Sequence, residues 1–297
     1  MAPTRHIDAH QHFWQIARGD YDWMTEDVAA IQHDSLPGDL APHLQRHGIT
    51  GTVVVQAAAT VAETEFLLSL AEETDFIKGV VGWVNLTDAS APGTLDRLAK
   101  FPKFKGVRPM LQDIEDTRWI AQPKVIAGLK ALADRELRLD ALITPRHLDV
   151  LREVAASLPD LPIVIDHCAK PVIAAGADPG DEWRQGLSRL AELPNVFCKL
   201  SGLANEAGPG WNAERLRAVA EHVLDSFGPT RVMWGSDWPV LNLAGDYAAW
   251  REVSETLLGG LSAADRAAVF GETASRFYGL DAGESDHTAH GQSAVSG

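Results

Sequence analysis

Eight short runs of apolar and β-branched residues alternate with amphipathic stretches along most of this 297-residue chain. The runs are almost continuously apolar, which is typical of parallel strands that are covered on both faces. They span residues 6–12, 51–56, 78–84, 104–108, 137–143, 162–167, 196–201 and 231–237. Between them, apolar residues recur at helical spacing in residues 63–73, 125–132, 148–158, 187–193 and 216–227. Eight strands alternating with helices predict an α/β fold of one domain, a (β/α)8 barrel.

The alternative architecture is an open doubly wound sheet, but no Gly-x-Gly-x-x-Gly follows an early strand. Residues 13–36 form a long loop rich in aromatic residues, and we expect it to be a packed cap or part of a pocket wall. Ser262 begins a last helix that is predicted to end near Tyr278. Residues 281–297 are small and polar, so we expect a disordered tail after a barrel domain spanning residues 1–280.

The chain has 26 basic and 41 acidic side chains, which give a formal net charge of −15. We therefore expect neither nucleic acid nor an anionic membrane as a partner, although a small-molecule substrate of either charge is compatible with this balance. No apolar run approaches the ~18 residues of a transmembrane helix, and the first residues show no apolar signal segment. Two cysteines, Cys168 and Cys198, fit a reducing compartment, so we expect a cytoplasmic protein, as a monomer or a homo-oligomer.

A pair of histidines lies at the end of the first predicted strand, in the run Ile-Asp-Ala-His-Gln-His-Phe-Trp from Ile7 to Trp14. His10 and His12 are two residues apart, so on an extended strand both side chains point to the same face. In a (β/α)8 barrel, catalytic groups lie at the carboxyl ends of the strands. The two imidazoles therefore predict half of a metal site at the mouth of the barrel.

Two further metal-capable side chains end later strands. Asp237 ends the eighth in Trp-Gly-Ser-Asp-Trp-Pro, and His167 ends the sixth in Asp-His-Cys-Ala-Lys-Pro. Taken alone, Asp237 is also compatible with a helix cap, and His167 with a histidine of the core. Because all four side chains fall at one end of the same barrel, we predict a divalent metal bound by His10, His12, Asp237 and His167. Such a set of nitrogen and oxygen ligands suits Zn²⁺ best and Mn²⁺ next.

Arg108 ends the fourth predicted strand, where it can polarise a substrate carbonyl, clamp a carboxylate or form a structural ion pair at the rim. If Arg108 points inward, the two-residue period of a strand places Phe104 inward and Lys105 outward. We identify no inward lysine on a central strand that could be carbamylated to bridge two metals. The sequence therefore predicts at most one metal per chain.

Five other side chains are candidate substrate ligands. Lys170 lies just beyond the sixth strand, and Asp140 lies inside the fifth, where a buried carboxylate needs a cationic or hydrogen-bonding partner. Gln56 is a neutral hydrogen-bond donor at the end of the second strand. Trp83 and Trp14 can stack on a sugar-like ring, and core packing is the alternative for both, since the chain has nine tryptophans.

These motifs resemble the amidohydrolase superfamily. The resemblance rests on the run from Ile7 to Trp14, on Gly-Val-Arg ending at Arg108, on Ile-Asp-His-Cys-Ala-Lys-Pro and on Met-Trp-Gly-Ser-Asp-Trp-Pro. It extends from about Arg5 to Leu280 and favours the sugar-lactonase branch, the L-fuconolactonase and L-rhamnonolactonase type. The segment from Arg108 to Asp113 is more similar to the rhamnonolactonase side.

The resemblance implies a distorted (β/α)8 barrel that opens a sugar lactone of the L-fucono, L-rhamnono or L-galactono type to its acid. It places the metal ligands and the sixth-strand histidine of the superfamily at His10, His12, Asp237 and His167. It implies that Asp237 activates water while the lactone is polarised or bound by Arg108, His167 and Lys170. Both a mononuclear and a metal-free enzyme are compatible with it.

Two other functions are compatible with the same motifs. A metal-dependent decarboxylase of this superfamily also has a His-x-His opening, a later histidine and an aspartate on the eighth strand. It would release carbon dioxide, whereas a lactonase releases an acid. A barrel that only binds sugar acids is the third possibility, but binding alone does not need the water-activating base that Asp237 offers.

Overall fold

The structure, a computed structural model, describes residues 5–280. Its eight strands form one parallel sheet in sequential order. The strands are β1 Ile7–Gln11, β2 Gly51–Val55, β3 Ile77–Gly82, β4 Phe104–Val107, β5 Arg138–Ala141, β6 Ile163–Ile165, β7 Val196–Leu200 and β8 Val232–Trp234. A bridge between Gln11 and Trp238 joins the two ends of the sheet, which closes it into a barrel. The predicted (β/α)8 fold is confirmed, and each predicted run overlaps one strand.

Helices follow the strands and cover the outside of the barrel. They are α1 Pro37–His47, α2 Val61–Glu73, α3 Ala91–Leu98, α4 Pro123–Ala133, α5 Leu148–Ser157, α6 Gly180–Ala191, α7 Leu203–Ala207, α8 Ala213–Phe227, α9 Tyr247–Leu257, α10 Ala263–Ala267 and α11 Thr273–Tyr278. The five predicted helical stretches overlap α2, α4, α5, α6 and α8. Four of the helices begin at a side-chain cap, since Thr60, Asn212, Asp246 and Ser262 each accept a hydrogen bond from the backbone N–H three residues on.

The core has an inner and an outer layer. Small and branched side chains fill the barrel itself, namely Ile7, Ala9, Val53, Val55, Val81, Val164 and Met233. Ala274, Phe277 and Tyr278, from α11, join this inner cluster, so the last helix closes the N-terminal end of the barrel. The outer and larger cluster lies between the strands and the surrounding helices. A barrel filled in this way is open to a ligand only at the carboxyl ends of its strands.

The predicted helix from Ser262 to Tyr278 is interrupted. The Oγ of Ser262 accepts a hydrogen bond from the N–H of Asp265 and caps α10 as expected. A π-helical turn, Ala268–Glu272, then separates α10 from α11. The predicted disordered tail, residues 281–297, lies outside the described residues. Within residues 5–280, no helix has both the length and the apolar character that crossing a membrane requires.

Two irregular strand pairings change which side chains point inward. In β1, Asp8 pairs with Thr52 and Gln11 with Val54, so the strand carries one extra residue, a β-bulge. Ala9 consequently joins the inner cluster while His10 also points into the barrel. The bulge lies immediately before the predicted metal site, where such irregularities often redirect a side chain.

A second irregularity, in the pairing of β3 with β4, overturns the parity argument for Lys105. Val80 pairs with Phe104, but Val81 pairs with Gly106. Phe104 lies in the outer cluster, and the Nζ of Lys105 donates to the Gly279 carbonyl at the closed end of the barrel, 3.2 Å away. The prediction that Phe104 points inward and Lys105 outward was therefore wrong.

Candidate active site

The seam between β1 and the segment after β8 brings the predicted ligands together. The N–H of Asp237 donates to the His10 carbonyl, and the N–H of His12 donates to the Trp238 carbonyl, both at 2.8 Å. Asp237 adopts a positive φ of 60°, which an aspartate tolerates better than most side chains. A Cβ at Gly235 would lie 2.6 Å from the Cβ of His10, so only glycine allows this close approach.

Three ligand atoms form a compact group at this seam. The His10 and His12 Nε2 atoms are 3.2 Å apart, and the Asp237 Oδ1 lies 3.6 Å and 3.3 Å from them, respectively. A tetrahedral cation about 2.0–2.1 Å from each ligand atom separates those atoms by roughly 3.3–3.4 Å. The Nδ1 of His12 lies 2.8 Å from the Val55 carbonyl, which can only accept, so the Nε2 keeps its lone pair. The residues therefore fit a divalent cation.

The ionisation state of Asp237 is compatible with a role as a metal ligand. Its carboxyl is buried, and burial alone would raise its pKa. The neighbouring imidazoles of His167, His12 and His10 outweigh burial and hold the pKa of Asp237 well below its usual range. Asp237 is therefore a carboxylate at neutral pH, as both a metal ligand and a proton acceptor must be.

His167 is held beside Asp237 by an unusual turn. Four consecutive residues, His167 to Lys170, adopt the left-handed region with φ between 49° and 60°. Each such non-glycine residue is disfavoured by roughly 1–2 kcal/mol, so the surrounding contacts must impose the turn. The Nδ1 of His167 lies 2.9 Å from the Ser201 Oγ, and its Nε2 lies 3.7 Å from the Asp237 Oδ1. Burial lowers the pKa of His167 to about 4, so the ring is neutral at neutral pH.

His167 does not join the compact ligand group. Within residues 5–280, the metal-capable atoms that all lie within 4.8 Å of one another belong to His10, His12 and Asp237. The sequence placed His167 among the metal ligands as well, and the structure instead leaves it at the edge of the site. There its Nε2 faces Asp237 and is available to a substrate or a water molecule.

Arg108 enters the site from the fourth strand. Its Nη1 lies 3.4 Å from the His10 Nε2 and 3.6 Å from the Asp166 Oδ2, and its Nη2 donates to the Gln56 carbonyl. The Gln56 side chain donates in turn to the Arg108 carbonyl at 2.8 Å. These contacts fix the guanidinium beside the metal-ligand group rather than at an exposed rim.

A buried lysine lies beneath the site, contrary to the sequence analysis. Lys199 on β7 is fully buried, and its Nζ lies 2.5 Å from the Asp140 Oδ2 and 3.1 Å from the Asp166 Oδ1. Our statement that no lysine points inward was therefore wrong. The expectation of at most one metal rested on that statement and stays a prediction; within residues 5–280, the compact group of metal-capable side chains is that of His10, His12 and Asp237.

The ligand group opens into a cavity of about 210 Å³. The cavity is lined by His12, Trp14, Trp23, Ala57, Arg108, Met110, Gln112, Asp113, Leu142, His167, Lys170, Asp237 and Val240. Trp14 and Trp23 come from the long loop and pack edge to face, with ring centroids 5.7 Å apart. Residues 13–36 are thus both a packed cap and part of the pocket wall.

Three predicted substrate ligands lie away from this cavity wall. Asp140 is buried under the site and accepts hydrogen bonds from Lys199 and, at 2.7 Å, from the Tyr278 hydroxyl. The amide of Gln56 is used by the Arg108 backbone. Trp83 follows β3, where its backbone N–H bonds to a helix α2 side chain, and it does not line the cavity. We no longer assign these three residues to the substrate.

Sequence reasoning missed several residues that shape the site. Asp166 and Lys199 lie within apolar strand runs, and a charged residue in such a run was the available signal. Asp8 was missed in the same way, although its carboxylate accepts from the Ser236 N–H at 2.8 Å and the Tyr247 hydroxyl at 2.9 Å. Ser201, which orients His167, carried no signal in the sequence.

Comparison with known proteins identifies the family. The sequence profile described as "Amidohydrolase" matches residues 7–280, which is nearly all of the chain. The chain belongs to the amidohydrolase family. The resemblance noted from the motifs is thereby confirmed, and the eight-stranded barrel is the fold of its structural neighbours.

Two relatives of this chain are both named L-fucono-1,5-lactonase. The chain is 46% identical over 290 residues to an L-fucono-1,5-lactonase of Burkholderia ambifaria, covering 96% of this chain and 99% of the relative. It is 38% identical over 287 residues to an L-fucono-1,5-lactonase of Burkholderia multivorans, covering 92% and 96%, respectively. Both matches extend over the barrel and the candidate active site.

A solved structure is similar at the level of the whole fold. The crystal structure of an amidohydrolase from Burkholderia multivorans with bound zinc superposes with a TM-score of 0.87 at 36% identity. The match covers 93% of this chain and 99% of that one. In the present chain, the side chains that could hold a metal ion are those of His10, His12 and Asp237.

Proposed function

We propose that this enzyme hydrolyses a sugar-acid lactone to the open aldonic acid. The observation that carries the proposal is the compact group of His10, His12 and Asp237, which opens into a cavity beside Arg108. A lactone carbonyl needs an electrophile at its oxygen and a deprotonated water at its carbon, and this arrangement offers both. The two lactonases to which the chain is similar over most of its length support the same chemistry.

The ligand group would hold one divalent cation, Zn²⁺ in preference to Mn²⁺. Two imidazole nitrogens and one carboxylate oxygen at tetrahedral spacing are a zinc-type donor set with a position left for a non-protein ligand. When bound, such a cation polarises a carbonyl oxygen and lowers the pKa of a water molecule.

Asp237 is the general base in this proposal. Its ionised carboxylate takes a proton from the attacking water, whose oxygen forms a bond to the lactone carbonyl carbon. The ring C–O bond then breaks, and Asp237 returns the proton to the departing ring oxygen, which becomes a hydroxyl group. The Arg108 guanidinium and the neutral His167 ring lie on the cavity wall, where they can stabilise the developing oxyanion or orient the lactone.

Other side chains of the cavity wall suit a hydroxylated ring. The Nζ of Lys170 lies 3.1 Å from both the Gln112 Oε1 and the Glu206 Oε1. A hydrogen-bond donor and two acceptors for substrate hydroxyl groups therefore lie close together. Trp14 and Trp23 supply an aromatic face across which a sugar ring can lie. At about 210 Å³, the cavity is smaller than the roughly 300–1,000 Å³ of sites for drug-sized ligands, which favours a single-ring substrate.

L-Fucono-1,5-lactone is the first substrate to test, because both named relatives are called lactonases of this compound. L-Rhamnono- and L-galactonolactones follow, since the sequence motifs also favour that group. The experiment is a panel of L- and D-aldonolactones at neutral pH, with a pH indicator to follow acid release. Acid released from one or more L-aldonolactones, with saturation, is the expected result.

The same panel, extended with carboxylic acids assayed for carbon dioxide and with a measurement of sugar-acid binding, separates the two alternative functions. Carbon dioxide released from an aromatic carboxylic acid, with no acid from any lactone, would identify a decarboxylase. Binding of sugar acids without turnover of any lactone would identify a binding protein. Either result would overturn the proposed hydrolysis.

A further inference from the structure

The strongest unassigned feature is the charge cluster under the metal-ligand group. Lys199, Asp140, Asp166 and Tyr278 are all fully buried or nearly so, and they come from β7, β5, the turn after β6 and α11. The Lys199 ammonium lies 2.5 Å from Asp140 and 3.1 Å from Asp166. Burying an ammonium group costs free energy of desolvation, which contacts with carboxylates must offset. The Lys199 ammonium also contacts His10, a member of the metal-ligand group.

The cluster contacts the Nδ1 of His10, the ring nitrogen that does not face His12 and Asp237. The His10 Nδ1 lies 3.3 Å from the Asp166 Oδ1 and 3.2 Å from the Lys199 Nζ. A ring nitrogen cannot donate to Asp166 and accept from Lys199 at the same time. If the Nδ1 donates to Asp166, the Nε2 keeps its lone pair toward His12 and Asp237. If the Nδ1 accepts from Lys199, the Nε2 carries the proton and cannot bind a cation.

We propose that Lys199 is a positioning residue for the metal site, acting through Asp166 on the tautomer and direction of His10. Its Nζ donates to the Asp140 Oδ2, and its charge, 3.1 Å from the Asp166 Oδ1, holds the Asp166 carboxylate beside the His10 Nδ1, where the carboxylate favours a proton on that nitrogen. The His10 Nε2 lone pair is thereby aimed at the cation position. A carboxylate behind a metal-binding histidine commonly tunes the affinity of a metal site, and here that carboxylate is itself held by a buried lysine.

Two other contacts agree with this assignment. Arg108 lies 3.6 Å from the other oxygen of Asp166, so both carboxylate oxygens face cations and the carboxylate has little freedom to rotate. The Tyr278 hydroxyl donates to the Asp140 Oδ2 at 2.7 Å. Asp140 and Tyr278 therefore position Lys199, whereas Asp166 transmits the effect of Lys199 to His10.

The test compares two variants that differ only at Lys199. Lys199→Met alone leaves two buried carboxylates without a cation and can prevent folding, so the informative pair is D140N and the double variant K199M/D140N. In D140N the lysine still holds Asp166. In the double variant one positive and one negative charge are removed together, and a methionine of similar length fills the space.

The measured quantity is the zinc dissociation constant of the full chain after metal removal, determined by competition with a chromophoric chelator. D140N should bind zinc nearly as wild type does, and the double variant should bind it about 10–100-fold more weakly. The melting temperature of each metal-free variant shows whether both are folded. This inference rests on the proposed cation site, but its readout needs no lactone, so it can fail while the lactonase proposal holds.

Three results would overturn the assignment. Equal zinc affinity in the two folded variants would mean that Lys199 only neutralises Asp140. Tighter binding by the double variant would mean that Lys199 donates to the His10 Nδ1 and opposes the metal. Absence of zinc binding by the wild-type chain would remove the site that Lys199 is proposed to position.

Discussion

Gly202 should be indispensable for the position of His167. It adopts φ 67° and ψ −6°, and a Cβ built there would lie 2.5 Å from the His167 Nδ1 and 2.6 Å from its Cγ. Ordinary contact begins at 3.4 Å, so Gly202→Ala must displace the ring by 3.4 − 2.5 = 0.9 Å or distort the backbone. A displacement of about 1 Å in a catalytic group can reduce the rate about 10²-fold.

A matched variant separates this displacement from backbone strain. Gly48 adopts a similar left-handed conformation, φ 64° and ψ 28°, at the end of α1, and a Cβ there would meet nothing within 4 Å. Both alanine variants should lose roughly 1–2 kcal/mol from the left-handed backbone, or about 2–8 °C in Tm for a domain of this size. Only Gly202→Ala also displaces His167.

The assay is lactone hydrolysis followed with a pH indicator, with Tm measured on the same preparations. We expect Gly48→Ala to retain the kcat/KM of the wild type and Gly202→Ala to lose about 10²-fold. If Gly202→Ala keeps the activity of Gly48→Ala while folded, then the position of His167 does not matter for the reaction, and the role proposed for it is wrong.

Three further perturbations address other parts of the account. Arg108→Met should reduce turnover about 10²-fold, as loss of one oxyanion donor does, whereas a purely structural arginine would lower Tm and leave turnover unchanged. Lys170→Met should raise KM more than it lowers kcat, because the lysine binds hydroxyl groups at the cavity wall; a loss confined to kcat would contradict this. Burial raises the pKa of Glu63 to about 7, so the folded protein holds a proton that the unfolded chain releases above about 4.5. Stability should therefore fall as pH rises from about 4.5 through 7 in the wild type, and Glu63→Gln should flatten this slope. Tm values at pH 5 and pH 8 give the test, and a difference between variant and wild type that does not change with pH would refute it.

The fold was predictable because its strands are buried on both faces. Most of the eight strands lie in runs rich in Val, Ile and Leu, and these runs alternate with stretches of helical spacing. Helices with a mixed inner face were missed. α9 buries Arg251 and Ser254 beside Trp250, which places polar residues on its inner face, and α1 contains Pro37 and Pro42.

The candidate site was predictable where the rule of alternating side chains held locally. His10 and His12 are two residues apart, and the spacing predicted their common face even though the register shift between Asp8 and Gln11 includes His10. The bulge itself and the irregular pairing of β4 were not visible in the sequence, because a one-residue slip depends on contacts between strands. The parity argument for Lys105 failed for this reason, whereas Lys199 lies on the regularly paired β7, where a charged residue in an apolar run was the available signal.

The central claim is that Asp237 is the base that activates water in a lactone hydrolase. The most direct measurement is the turnover of L-fucono-1,5-lactone, or the best lactone of the panel, by Asp237→Asn, expressed per bound metal ion. Asparagine keeps the shape and one oxygen ligand but cannot accept the proton, so we predict a folded variant with turnover per metal reduced by about 10²–10⁴-fold. Turnover per metal equal to that of the wild type would show that Asp237 is only a ligand and that the base lies elsewhere.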